Sequence, residues 1–352
     1  MSNISRSTVQ TPEPVPSTSA CYENTPDRGL VETELVRERL YEQVLDSIKS
    51  WLSSRQAYPP WSKKNIWHIL LRYIFIKKAA LSRPMPDPVF AIGTSSVARQ
   101  QLRRDLENRK VNNFTELAEL IDHQLEIAAL EICVANIGMD APVTVSNIDG
   151  DLIYRGRVQK DFSRLAQRFG PDYYHAAYAL GLRYKYIHLC GHGLAREYEK
   201  ETKLSANYPF IRECFASTFN HYFDQYHSAF PDLEAFFGSR GCFFKAAWEK
   251  DPPGMIYYVC PPFDDTLMQL CVERVLYVLR HQLVSCARFI FTIPGSWTHF
   301  KALQQLKTSP WTVQITDYPL GKLRFIDYMA ENTPRILYPT DICEVTLTNC
   351  NC

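Results

Sequence analysis

The sequence predicts an α/β protein, in which a mostly parallel, helix-flanked sheet follows a helical amino-terminal domain. Three observations predict it. Across residues 31–135, apolar side chains recur at helical spacing. From residue 210 onward, short apolar runs alternate with helical stretches, as in sheets whose strands are joined by crossovers. One of those runs, Met255-Ile256-Tyr257-Tyr258-Val259-Cys260, stops on Pro261-Pro262-Phe263. Proline cannot donate to a sheet ladder, so the pair ends the strand and begins a rigid turn. In an open α/β sheet, that carboxyl edge is where ligands bind.

Composition bounds the reading. A length of 352 residues fits one large or two moderate domains, and 46% hydrophobic with 13% aromatic content supplies an ample core. The net charge of +1 means that any nucleic-acid contact must come from local basic patches. No apolar run approaches the roughly 20 residues that span a bilayer, and the best candidate, 66–76, is broken by His68 and Arg72. No membrane association is expected. The Ser/Thr/Pro-rich start lacks the apolar core of a secretory signal. The 11 cysteines are scattered, without a C-x-x-C pair, which fits reduced thiols inside a cell.

Each element has a local reason. Residues 1–28, with Pro12, Pro14 and Pro16 in a Ser/Thr background, read as disordered. A helix over 31–52 carries Leu35, Leu40, Val44, Leu45 and Ile48, and Tyr58-Pro59-Pro60 breaks it. The next helix starts near Ser62 as N-cap and is apolar almost all round, so it should be buried. Pro84, Pro86 and Pro88 make a stiff linker. A third helix, 97–109, carries Arg99, Arg103, Arg104 and Arg109, and a fourth begins at Asn113, with Glu116 approximating a capping box. Asp149-Gly150, between apolar pieces at 143–145 and 152–154, signals a hairpin. Helical patterns return at 161–169 and 173–187. Strands are expected at 210–216, 255–259, 287–293 and 343–347, with an extended piece at 312–318. Helices are expected from Thr218 and at 266–282 and 298–306. There is no internal repeat.

The densest stretch is 212–263. It contains Glu213-Cys214-Phe215-Ala216-Ser217, then Asn220, Tyr222, Phe223, Gln225 and Tyr226, then Ser228-Ala229-Phe230-Pro231-Asp232, Phe237-Gly238-Ser239-Arg240-Gly241 and the closing Pro-Pro-Phe. In this order and spacing the motifs resemble the phosphorylated-C-terminal-domain-interacting factor family of cap-specific adenosine-N6 methyltransferases. The resemblance is dense over 213–268 and thinner over 152–206 and 289–297. Two departures stand out. Cys260 occupies the place of the family's Asn, and Ser296 precedes Trp297 where the family has Glu. The family's larger members carry a WW module that binds the phosphorylated tail of RNA polymerase II. None is found around Trp51 and Trp61, whose spacing is too short, so that partner is not carried over.

The resemblance implies a Rossmann-like methyltransferase domain at 141–349, with 141–206 as its opening lobe, after a helical domain at 29–140. S-adenosylmethionine would lie against Glu213, Phe215, Ala216, Ser217 and Asn220, with Asp232 or Glu213 accepting from its ribose hydroxyls. Small residues after a strand that open into a helix would let backbone amides approach the ligand. Cys260, Pro261, Pro262 and Phe263 would form the catalytic turn, because methylation of an adenine amine needs acceptors on its hydrogens and an aromatic platform. Cys260 replaces the oxygen acceptor with sulfur, a weak one. Arg240, Arg183, Lys185 and Trp297 are the candidate contacts to capped mRNA. His188-Leu189-Cys190-Gly191-His192 lacks a fourth ligand at zinc spacing, so no metal is expected. Localisation would be nuclear for a cellular protein and cytoplasmic for a viral one. A second reading is a methyltransferase-fold protein that binds capped RNA or the transcription machinery without catalysing.

Overall fold

The computed structural model describes residues 29–55, 61–81, 87–90, 92–135, 144–149, 151–159, 169–189, 195–197, 210–327, 335–337 and 340–350. The expected disordered segment 1–28, nearly all of the helical pattern at 161–169, and Cys190 to His192 lie outside these residues.

Four long helices come first: α1 (Gly29–Arg55), α2 (Lys63–Ala80), α3 (Ser96–Asn108) and α4 (Phe114–Val134). The Ser62 hydroxyl accepts from the Asn65 amide, the expected cap. Asn113 does not cap with its side chain. It adopts φ 54°, in the left-handed region, and the Glu116 carboxylate of the anticipated capping box pairs with Arg55 instead. After these helices come the three-stranded meander β1 (Ser146–Ile148), β2 (Asp151–Tyr154) and β3 (Arg157–Gln159), and then α5 (Tyr174–Leu189). The third strand was not legible as one; Arg155 and Gly156, both at positive φ, make its tight turn. The helices share one core, which takes in Leu40, Trp67, Leu70 and Tyr178 and continues into Phe230, Leu233 and Phe237.

The main sheet has six strands in the order β6-β5-β7-β8-β12-β9, formed by β5 (Ile211–Ala216), β6 (Tyr226–Ser228), β7 (Ile256–Val259), β8 (Arg288–Pro294), β9 (Thr312–Tyr318) and β12 (Ile342–Thr348). The first four in space are parallel, and β12 runs antiparallel to both β8 and β9. Three further short strands, β4 (Ala195–Glu197), β10 (Phe325–Asp327) and β11 (Arg335–Leu337), form a separate sheet. Two short helices complete the set, α6 (Pro231–Glu234) and α8 (Lys301–Lys307), with the longer α7 (Asp265–Arg280) between them. On one sheet face, Tyr257, Val259, Phe289, Phe291 and Val345 pack against Met268, Val272 and Leu303 of α7 and α8 and against Phe243 and Trp248. The opposite face carries a smaller cluster of Ile211, Ile256, Tyr258 and Ile290, with Phe223 against it.

The helix expected from Thr218 is absent. Residues 218–220 form a turn, and Tyr226, expected in that helix, lies in β6. Side chains take the amides that would start such a helix. Asn220 Oδ1 accepts from the Ser217 amide at 2.7 Å, Glu234 from the Thr218 amide at 2.7 Å, and Glu213 from the amides of Tyr222 and Phe223 at 2.8 and 3.0 Å. Asn and Thr favour such local capture over helix interiors.

Candidate functional site

The sheet order locates a crevice. From β5 the chain moves outward to β6, then returns past β5 to β7 and continues away to β8. The link from β5 to β6 crosses the face that carries Phe223. The segments after β6 and β7 cross the other face, with Phe243, Trp248 and α7. Connections leaving β5 and β7 therefore diverge, which makes their carboxyl ends a topological switch point. Register pairs Glu213 with Tyr258 and Val259 with Phe291. Continued by two residues, the first pairing sets Phe215 level with Cys260.

The β7 side is the Cys260–Phe263 turn. Cys260 is half-buried and touches two small clusters, one built on Ile211 and Tyr258, the other on Leu323, Phe325 and Ile342. Pro261 is buried and Pro262 exposed. The Pro262 carbonyl accepts from the Asp264 amide at 2.7 Å, and the Asp264 carboxylate caps α7 by accepting from the Leu267 amide at 2.8 Å. The half-buried Phe263 ring meets Phe325 edge-on, with centroids 6.2 Å apart. Trp297 follows β8 at the same sheet edge, half-buried, 5.0 Å from Phe300.

The β5 side is a turn whose amides are already satisfied. Besides the contacts above, the Phe219 amide donates to Ser217 Oγ at 3.2 Å, and the Asn220 and His221 amides donate to the Ser217 carbonyl. The expected mode of binding, amides at a helix start aimed at a ligand, is thus corrected. The rings beside the turn pack into the fold, Phe215 4.7 Å from Phe243 and Phe219 edge-on to Tyr184 at 5.3 Å. Glu234, fully buried, organises the turn: its carboxylate also accepts from Tyr184 Oη at 2.8 Å and Thr218 Oγ1 at 3.1 Å. Burial pushes the Glu234 carboxyl up to about 7, against the pull of those hydrogen bonds. Glu213 is likewise a brace for the loop: it is buried, and its Oε2 accepts from the amides of Tyr222 and Phe223.

Several sequence-predicted residues therefore converge on one edge: Glu213, Phe215, Ala216, Ser217 and Asn220 from β5 and its turn, Cys260 to Phe263 from β7, and Trp297 from β8. Asp232 follows β6 with its side chain 37% exposed, and Arg183 donates to it at 3.0 and 3.2 Å. Burial alone would raise its carboxyl, but the Arg183 guanidinium holds it below the usual range.

Other members are placed elsewhere. Arg183 is buried, bonded to Glu34 at 2.7 Å and stacked 5.1 Å from the Phe230 ring, so it acts inside the fold rather than on a nucleic-acid surface. Lys185 pairs with Glu38 on α1. Arg240 is exposed, but its segment runs along the outer edge of β6, where its amide donates to the Tyr226 carbonyl at 2.8 Å. Two strands, β6 and β5, separate it from β7, about 14 Å at the usual strand spacing. Of the basic α3 candidates, Arg99 pairs with Asp122, and Arg109 stacks 5.6 Å from the Trp61 ring. Among the described residues no cluster of His, Cys, Asp and Glu is disposed to hold a metal, and no helix is long and apolar enough to cross a membrane.

Residues 154–326 match the family model described as "Phosphorylated CTD interacting factor 1 WW domain". The description names a WW module where the sequence reading finds none; the match begins at the end of β2 and runs through the parallel strands to β10, beyond Trp51 and Trp61. Two curated relatives are each named mRNA (2'-O-methyladenosine-N(6)-)-methyltransferase. The Homo sapiens protein is 46% identical over 67 residues, 18% of this chain and 9% of its own length. The Mus musculus protein is 45% identical over 62 residues, 18% of this chain and 8% of its own length. The matched part of the chain thus spans less than a tenth of either relative. The chain resembles the phosphorylated CTD interacting factor family, as its motifs indicate.

Proposed function

We propose, from the likeness of residues 154–326 to that family, that the chain is an S-adenosylmethionine-dependent methyltransferase acting on N6 of a 2′-O-methyladenosine beside an mRNA cap. The observation that carries the reading is the position of Cys260-Pro261-Pro262-Phe263 just past the carboxyl end of β7, beside the end of β5. The helical domain is 29–140, and the Rossmann-like methyltransferase domain is 141–349.

The chemistry of the crevice suits this cofactor. A dinucleotide pyrophosphate needs unpaired amides, and those of the β5 turn are bonded within the chain. A sulfonium cation instead favours aromatic faces and carbonyls, which Phe215, Phe219 and the turn backbone supply, while Asp232 can accept from ribose hydroxyls. When bound, S-adenosylmethionine supplies an electrophilic methyl group. The chain's own part is to hold the adenine. Phe263 stacks on the base, and the Pro261 carbonyl accepts from the amine, keeping its lone pair in line and stabilising the charge that develops there. Cys260 Sγ accepts weakly from the other amine hydrogen.

That sulfur favours a second reading, in which the fold binds cofactor and capped RNA with little or no turnover. The phosphorylated CTD enters only through the description of the matched family, and no site for it is proposed on this chain. Localisation follows the substrate, in the nucleus of a cell or wherever a virus caps its RNA. The test is incubation with labelled S-adenosylmethionine and RNA starting with capped 2′-O-methyladenosine. Slow transfer to N6, dependent on the cap, supports catalysis. Binding of both ligands without transfer supports the second reading. A chain that binds neither contradicts both.

A further inference from the structure

Arg72 reaches out of the helical layer to the turn that follows Phe263. On α2, its guanidinium donates from Nε to the Asp264 carboxylate, from NH2 to Asp265 Oδ1 at 2.6 Å, and from NH1 to Asp105 Oδ1 on α3 at 2.6 Å. A second strand of the same clasp runs alongside. Thr266 Oγ1 donates to Gln101 Oε1 at 2.8 Å, and Gln101 Nε2 donates to Asp105 at 2.9 Å. One cation thus gathers three carboxylates from two elements, α3 and the start of α7, with its side chain only 23% exposed. Asp264 is the first residue past Phe263, and its amide is bonded to the Pro262 carbonyl. Moving Asp264 therefore moves the proline turn.

We propose that Arg72 is a positioning residue for the Cys260–Phe263 turn, through which the helical layer sets the height of the Phe263 ring and the Pro261 carbonyl against the end of β5. The assignment of that turn to base binding rests on the methyltransferase reading above; the clasp itself does not. A planar fork of donors fixes three acceptors at once, which a lysine ammonium on a flexible stem cannot reproduce. Without the cation, Asp105, Asp264 and Asp265 repel one another and the amino terminus of α7 loosens. Nearby His68 is a poor substitute for the lost charge, because burial and the adjacent Arg109 and Lys64 lower its affinity for a proton, against the pull of Asp264.

The test compares the full chain with Arg72→Lys and Arg72→Met. Amide hydrogen exchange is expected to quicken at Asp264, Leu267 and Met268 in both variants, with β7 and β8 unchanged. Affinity for S-adenosylhomocysteine should stay within about twofold. Affinity for a capped adenosine dinucleotide, or kcat where transfer is seen, should fall about 10–100-fold in both variants, the scale of an ångström's misplacement. Loss in Met but full retention in Lys would overturn the positioning role in favour of charge alone. Unchanged exchange at Asp264 to Met268 would overturn the clasp. A native chain that binds neither ligand would defeat the base-binding reading, while exchange would still report whether Arg72 holds the turn.

Discussion

Cys260 stands level with Phe215 across the β5–β7 junction, half-buried, where the family's motif has an amide oxygen. Its sulfur accepts hydrogen bonds weakly. Restoring an oxygen by Cys260→Asn is expected to raise methyl transfer to capped RNA by about 10²–10³-fold, roughly 3–4 kcal/mol of transition-state stabilisation. Phe263→Ala removes the proposed platform and should abolish transfer in either background. A fast native enzyme unaffected by Cys260→Asn would show that the side-chain acceptor is dispensable. This residue and its turn were legible in the sequence because two prolines halt a strand wherever it lies. Arg72 was not. It reads as a break in an apolar helix, and its partners Asp105, Asp264 and Asp265 lie 33, 192 and 193 positions away. Arg240 was legible as part of a loop, but its distance from β7 depends on a strand order that no local pattern contains.

Among the elements, β6 and the turn before it join two buried groups with opposed titrations. His227, buried beside Phe243 and Trp248, is lowered from 6.5 to about 4 by burial, with the charge of Arg212 adding to it. Its folded pKa is depressed, so its share of stability is complete above 6.5 and is lost as pH falls toward 4, about 3 kcal/mol in all. Glu234 is raised from 4.5 to about 7, so its share is complete below 4.5 and is lost as pH rises through 7, again about 3 kcal/mol. Between pH 4.5 and 6.5 the two slopes offset each other. Denaturant unfolding across this range should therefore be nearly flat in the native chain. Glu234→Gln should expose a loss of stability toward acid, and His227→Gln a loss toward neutrality. Curves parallel to the native one would show that neither group titrates as its burial dictates. Long helices and the strands on either side of α7 were legible from their periodicity. β6 was not, because Tyr226-His227-Ser228 is too short to show alternation and its preceding turn is set by Glu213, Asn220 and Glu234 from neighbouring segments.

The whole molecule is held together across its proposed domain boundary. The helical core continues into Phe230, Leu233 and Phe237, which follow β6, and Arg72 ties α2 and α3 to the start of α7. Residues 141–349 expressed alone should therefore expose that apolar segment and leave Asp264 and Asp265 without their cation. Such a fragment is expected to aggregate or unfold well below the full chain's melting temperature, as followed by circular dichroism; equal stability would show that the helical layer is dispensable. The proposed seat of S-adenosylmethionine is the pair of diverging ends of β5 and β7. Calorimetric titration of S-adenosylhomocysteine into the full chain and into Ala216→Trp tests it most directly, since the indole would fill the crevice at the end of β5. The native chain should bind one-to-one and the variant not at all, with both equally folded. No binding by the native chain up to millimolar ligand, or equal binding by both, would contradict that assignment.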